Sequence, residues 1–319
     1  MFVANRLEGR LMFNLAATPG TGPNTSALPV IRAKSREDAW ADLPHDRCLV
    51  MGILNVTEDS FSDGGRFLNV DAAIAHGVEM MRAGADIIDV GGESTRPGAD
   101  FVDPEVEVSR VVPVVKGLVA AGAVVSVDTT HASTARAAWE AGAHLINDVS
   151  GLTFEPEMAQ VVAELGARVV LTHRRGDQKT MVDHAEYGDV VAEVVSELVE
   201  VRDQFAAAGV ARENIILDPG VGFAKNAEHD WAVLNATDRF VALGHDVLIG
   251  TSRKRFLGRL LEERKRPHEV ADRDAATHAT SALAAASGAW AVRVHDVAGT
   301  RDAVEVARAW VNPAEAVEA

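Results

Sequence analysis

Alternation of short β-branched runs with longer helical stretches predicts a (β/α)8 barrel for most of this 319-residue chain. Three observations carry the prediction. Apolar runs of strand character recur eight times from residue 48 onward. Between them lie Ala- and Val-rich stretches with apolar residues three and four apart, the pattern of helical crossovers joining parallel strands. Polar residues gather at the C-terminal ends of the runs, where barrels of this class build their sites. A doubly wound open sheet is the alternative. Against it, no strand is followed by G-x-G-x-x-G; GVGFAK (220–225) has only the first two glycines and lacks the P-loop spacing.

The elements follow in order. Residues 1–46 have a different texture: ATPGTGPNTSALP is rich in Gly, Pro, Thr and Ser and reads as a loop-rich or disordered extension, with scope for a small lid at the barrel floor. The barrel domain is expected over 47–312, with a tail at 313–319. Its strands are CLVMGILNV (48–56), DIIDVGG (86–92), AVVSVD (123–128), HLINDV (144–149), RVVLTH (168–173), NIILDPG (214–220), DVLIGTS (246–252) and WAVRVHD (290–296). Helical stretches such as DAAIAHGVEMMRAGA and HASTARAAWEAGA close on glycine turns, as helix C-termini do. Two Gly- and hydroxyl-rich loops, NVTEDSFSDGG (55–65) and GGESTRPGA (91–99), leave the first two strand ends and suit segments that close over a substrate.

Bulk composition narrows the function. The formal net charge is −16, with 47% hydrophobic and 24% charged residues. Such an acid excess argues against a general nucleic-acid binder and an anionic-membrane binder. An anionic substrate must then be captured by local cations or a metal. The single cysteine, Cys48, excludes an internal disulfide framework and a Cys-cluster metal site, suits a reducing compartment and reads as a packing residue. No apolar run approaches the roughly 18 residues that span a bilayer. The first 20 residues lack the continuous apolar core of a secretion signal.

The strand tips carry Asn55, Asp89, Asp128, Asn147, His173, Asp218, Ser252, Arg293 and His295. Any one alone reads as a cap or turn residue; together at one end of a barrel they read as a shared site. Arg293 and His295 are two apart, so a strand turns both to one face. Asp128 and Asp218 with Asn147 suit a ligand bearing several N–H donors on one edge, such as an amino-pyrimidinone. Arg293, His295 and Asn55 come from strands 8 and 1, neighbours in a closed barrel, and suit phosphate oxygens. GTSRKR after strand 7 adds Lys254 where this fold often binds phosphate. No H-x-H or H-E-x-x-H spacing occurs, so a metal, if used, is expected to be Mg²⁺ held mainly by substrate phosphates. No Ser-His-Asp order or cysteine nucleophile stands out. The site reads as one for positioning and electrostatics, without a covalent step.

Taken in order, MGILNVTEDSFSDGG, IIDVGGESTRPGA, SVDT, LINDVSG, LDPGVGF, SRKRFLG and VRVHDV resemble the dihydropteroate synthase family of the folate pathway, the target of sulfonamides. The resemblance runs from residue 49 to about 311. It implies a (β/α)8 barrel, typically a cytoplasmic homodimer. In its reaction the amine of p-aminobenzoate displaces diphosphate from 7,8-dihydropterin-6-ylmethyl diphosphate, assisted by Mg²⁺, giving 7,8-dihydropteroate. It implies catalytic roles for Asp128, Lys254, Arg293 and His295, and a pterin pocket of Asp128, Asn147, Asp218, Lys254 and Arg293. Asn55, Arg293 and His295 would contact the diphosphate, Asn55 also the metal. Phe61, Thr95, Arg96, Pro97, Phe223 and Ser252 would form the p-aminobenzoate pocket once the first two loops order. Three features depart from the family pattern: Thr172 stands where many members have Met, Ala224 where Gly is frequent, and RRGDQKTM (174–181) matches in part. Two other readings share the barrel. A pterin-dependent methyltransferase has no need of ESTRPG, SRKR or the Arg-x-His pair. A pterin-binding paralogue without synthase activity is expected to have lost Lys254, Asp218 or the first loop, and none is lost here.

Overall fold

The structure, a computed structural model, describes residues 3–7, 10–14, 35–57 and 66–314, with side chains over 35–57 and 70–314. Phe61 and most of the NVTEDSFSDGG loop lie outside the described residues, as does much of the segment expected to be an extension. Two compact units are present. The first contains an antiparallel pair of strands, Val3–Leu7 and Arg10–Asn14, in register from Val3↔Asn14 to Leu7↔Arg10.

The second unit starts at Lys34. Residues 36–41 are not loop: they form α1 (Arg36–Ala41), capped by Ser35, whose hydroxyl accepts from the Asp38 amide at 3.1 Å. Trp40 stacks on Trp290 at 5.9 Å, the Arg168 guanidinium lies 4.5 Å from the Trp40 ring, and Leu43 is buried at the barrel floor. One aromatic and one leucine in a polar stretch are too sparse a pattern to register as a core element. They act through tertiary packing alone.

Eight strands follow: β1 (Leu49–Asn55), β2 (Ile87–Gly91), β3 (Val125–Asp128), β4 (Leu145–Asp148), β5 (Val169–Thr172), β6 (Ile215–Asp218), β7 (Asp246–Ile249) and β8 (Ala291–Val294). They close in the order β8-β1-β2-β3-β4-β5-β6-β7. Closure rules out the open-sheet alternative: Ala291 of β8 pairs with Leu49 on one side and Leu248 on the other. The crossovers are α2 (Arg66–Arg82), α3 (Pro104–Ala120), α4 (Ala132–Glu140), α5 (Pro156–Leu165), α6 (Val190–Ala207), α7 (Ala227–Asn235) with α8 (Thr237–Val241), and α9 (Arg255–Glu263) with α10 (Asp274–Ala286); α11 (Val297–Val311) follows β8. Asp103 and Asp189 cap α3 and α6 by accepting first-turn amides, which fixes where two loops become helix.

Strand period two sorts side chains between two cores. One residue parity, with Val50, Leu54, Ile88, Val90, Val125, Val127 and Leu171, packs outward on the helices. The other parity turns inward. Its lower layer is apolar: Leu49, Met51, Ile87, Val124, Leu145, Val170, Ile216, Leu248 and Ala291. Each large side chain there contributes roughly 1.5–3 kcal/mol by burial. The next inward positions up the same strands are Ile53, the one large apolar residue among them, and Asp89, Ser126, Asn147, Thr172, Asp218, Gly250 and Arg293. The barrel interior therefore changes from hydrocarbon at the floor to hydrogen-bonding groups at the mouth.

Candidate active site

Arg293 crosses that mouth. Its Nε donates to Asp89 Oδ2 at 2.6 Å and its Nη2 to Asp128 Oδ2 at 2.7 Å. Asn147 Nδ2 donates to the same Asp89 oxygen at 3.2 Å. Asp89, Asp128 and Asn147 are all buried. The second oxygens of the two carboxylates, Asp89 Oδ1 and Asp128 Oδ1, and the amide oxygen Asn147 Oδ1 are buried with no protein hydrogen-bond partner, as is Thr172 Oγ1. A buried acceptor left unpaired costs about 1–3 kcal/mol. Several on adjacent strands therefore suit a ligand edge rich in N–H donors. Asp89, which the sequence placed among the shared strand tips without a subsite of its own, joins this set through its inward parity.

Asp218 accepts the Gly220 amide at 2.7 Å. Gly220 is obligatory: its φ is +68°, and a Cβ would lie 1.8 Å from the His173 carbonyl oxygen. Lys254 bonds the Val221 carbonyl, and its Nζ lies 4.7 Å from the centre of the half-buried Phe223 ring. A Cβ on Gly250 would stand 3.8 Å from Lys254 Nζ and 3.9 Å from Arg293 Cβ, within ordinary van der Waals contact of both. Burial raises the pKa of Asp128 against the pull of Arg293, and raises that of Asp218 against Lys254. Burial lowers Lys254, with Asp218 opposing. For Arg293, burial acts to lower the pKa, but Asp89 and Asp128 outweigh it and leave it raised.

His295 pairs with Ser252: the imidazole Nδ1 lies 2.9 Å from Ser252 Oγ, which also accepts the His295 amide at 3.1 Å. Burial first, then Arg293, push the His295 pKa down to about 3, so the ring is neutral. A hydroxyl can donate and accept, so Ser252 holds Nδ1 in either tautomer, and the neutral ring keeps one N–H donor and one acceptor nitrogen. Asn55, half-buried on the neighbouring strand, places Oδ1 3.8 Å from where a Gly91 Cβ would be, and Asp128 Cβ lies 3.6 Å from that same point. The loop after β2 carries Thr95 and Pro97, half-buried, and Arg96, exposed but near enough to His295 to help lower its pKa.

Around this centre the structure sorts residues the sequence left ambiguous. His173 turns away from the mouth: its Nε2 meets Glu197 at 2.8 Å and its Nδ1 meets Lys225 at 2.9 Å. Lys225 also donates to the Gly220 and Phe223 carbonyls at 3.0 and 3.2 Å, which fixes the β6 loop. Ala224 sits at φ +48°, which accounts for glycine's frequency there. Arg174, in the stretch matching the family only in part, is buried with Nε and Nη1 unpaired, and feels Asp148, Asp177, Asp128 and Glu93. Lone arginines are common, and only the closed barrel brings this one to the mouth's edge.

Fold and mouth together define a barrel enzyme of the pterin-binding class, and a family profile described as "Pterin binding enzyme" matches residues 51–295. The dihydropteroate synthase of Mycobacterium leprae is 52% identical over 273 residues, 84% of this chain and 95% of the relative. The Xanthomonas albilineans dihydropteroate synthase structure with 4-aminobenzoic acid is 45% identical, with a TM-score of 0.76 over 86% of this chain and 94% of that one. The Yersinia pestis dihydropteroate synthase structure with a sulfonamide drug is 40% identical, with a TM-score of 0.78 over 85% and 96%. The chain belongs to the dihydropteroate synthase family.

Proposed function

We propose that this chain condenses 7,8-dihydropterin-6-ylmethyl diphosphate with p-aminobenzoate, giving 7,8-dihydropteroate and diphosphate for folate biosynthesis. The observation that carries the reading is the ring of unpaired inward acceptors on Asp89, Asp128 and Asn147, set beside Arg293 and Lys254. A pterin presents N–H donors along one edge and acceptors on the other. Asp128, Asn147 and Asp218 take the donors, and Lys254 serves the acceptors. Arg293 has five N–H groups, two of them engaged by carboxylates, which leaves donors for the diphosphate. Asn55 and the His295 imidazole complete that subsite. Thr95, Arg96, Pro97, Phe223, Ser252 and Phe61 enclose p-aminobenzoate.

The bond from the pterin methylene to the diphosphate oxygen breaks, leaving positive charge on the methylene-pterin. The Asp128 carboxylate stabilises that charge, while Arg293, His295 and Asn55 stabilise the departing anion. The aniline nitrogen then bonds to the methylene carbon and gives up one proton. No protein nucleophile is required. Among the described residues no three His, Cys, Asp or Glu side chains gather to hold a metal. One amide oxygen at the mouth nevertheless fits Mg²⁺, which keeps its waters and binds mainly through substrate phosphates. Asn55 would hold the ion, which supplies charge neutralisation to the diphosphate.

No described helix is long and apolar enough to cross a membrane, and we place the enzyme in the cytoplasm. We assign it a homodimer through the outer face of α10 and α11, where Leu283, Val306 and Trp310 are largely exposed. The decisive experiment supplies purified protein with both substrates and Mg²⁺ and follows diphosphate release. Release that depends on p-aminobenzoate supports the reading. Pterin binding without release would instead leave a pterin-binding protein lacking synthase activity.

A further inference from the structure

We propose that Glu93 and Gln178 form a clasp between the β2 and β5 loops that positions Thr95, Arg96 and Pro97 and thereby sets the affinity for p-aminobenzoate. The proposal rests on the assignment of those three residues to the p-aminobenzoate pocket. Gln178 holds the loop on both sides of them. Its side-chain amide donates to Glu93 Oε1, two residues before Thr95. Its backbone carbonyl accepts the Gly98 amide at 2.7 Å, one residue after Pro97. Lys179 reinforces the far side, with Nζ 3.3 Å from the Gly98 carbonyl and paired to Asp100. Gln178 is itself steadied by a turn in which Asp177 Oδ1 accepts the Lys179 and Thr180 amides at 2.9 Å each.

Glu93 and Gln178 are 7% and 2% exposed, yet neither belongs to an apolar core; both lie in loops beyond the strand ends. A buried carboxylate and amide outside the core are costly unless they meet each other. The second Glu93 oxygen faces His131 Nε2 at 3.6 Å, and His131 Nδ1 lies 2.7 Å from Glu155. The clasp is thus anchored to the start of α4 as well. Fixing a three-residue span at both ends removes the ordering cost that a free loop would charge to ligand binding.

The test is steady-state kinetics on the full chain with both substrates, for Gln178→Ala, Glu93→Ala, the double variant, Glu93→Gln and the control Thr95→Ala, with melting temperature recorded for each. Each single alanine at the clasp is expected to raise KM for p-aminobenzoate about tenfold, while KM for the pterin diphosphate moves less than about twofold. The double variant should be no worse than the worse single, because the two residues act as one contact. Glu93→Gln keeps an acceptor oxygen for the Gln178 amide and should recover most of the affinity. Additive effects, a parallel rise in both KM values, or failure of Glu93→Gln to recover would overturn the clasp. If Thr95→Ala raises KM for p-aminobenzoate and Gln178→Ala does not, the clasp falls and the pocket assignment stands. If Thr95→Ala has no effect, the assignment falls and takes the clasp with it. Should Gln178→Ala not fold, Gln178→Asn, too short to reach Glu93, is read the same way.

Discussion

Arg293 is held by two carboxylates and holds them apart. Remove the guanidinium, and Asp89 and Asp128 are left buried without their cation, at a cost of about 3–5 kcal/mol for a broken buried pair. Arg293→Ala is therefore expected to lower turnover by about a hundredfold or more and to lower the melting temperature as well. Arg293→Lys separates the two effects. It keeps the charge but cannot fork to two carboxylates and still serve a diphosphate, so most stability should return while turnover stays depressed about tenfold. Kinetics and thermal melts on both variants decide this; full activity in the lysine variant would count against the role. Ser252 carries a related expectation. The resemblance places it in the p-aminobenzoate pocket, but its hydroxyl also holds the His295 ring through Nδ1 and the backbone amide. Ser252→Ala should therefore also raise KM for the pterin diphosphate, by about tenfold.

At the scale of elements, His131 joins the loops after β2, β3 and β4, and Glu93 links them to the loop after β5. The His131 pKa is raised to about 9, chiefly by the Glu93 carboxylate 3.6 Å from Nε2, against burial, with the Glu155 hydrogen bond adding to the rise. Since the folded value lies above the ordinary one near 6.5, the stabilisation is complete below pH about 6.5 and is lost as pH rises through about 9. The melting temperature of the parent should therefore fall across that window relative to a His131→Gln variant, in which the difference disappears; parallel curves would refute it. None of this network was legible in the sequence. His131 and Gln178 carry no motif, and their partners lie 24 to 85 residues away. What was legible had period two or fixed spacing. Eight strand tips, the inward parity of Asp128, Asn147 and Asp218, and the Arg-x-His pair of β8 all follow from local geometry. Asp89 shared that parity and was counted among the strand tips, but its subsite was not legible, because Asn147 and Arg293 lie 58 and 204 residues away.

For the whole molecule, the sequence's alternation was enough to place the barrel, because each β/α unit repeats the same local signal. Its floor and its surface were not so readable. Trp40 and Leu43 join the core from a stretch with no periodicity, and exposure of apolar residues on α10 and α11 appears only once the helices have packed. Val306 and Trp310 stand one helical turn apart on α11 and are 63% and 82% exposed; Leu283 on α10 is 68% exposed. A chain with net charge −16 repels its own copies at long range, so association needs a contact patch that is apolar and low in charge. Side chains of this size left in water on neighbouring helices supply one, each contributing roughly 1.5–3 kcal/mol if covered. The 33.9 kDa chain is thus expected to show twice its mass by light scattering at micromolar concentration. Trp310→Glu should shift it to the monomer while leaving the barrel's circular dichroism intact. Salt helps to discriminate. Screening weakens charge repulsion, so added salt should tighten the dimer formed by an apolar face, whereas a dimer held by ion pairs would loosen. A parent protein that stays monomeric, or a Trp310→Glu variant that stays dimeric, would move the interface away from α10 and α11.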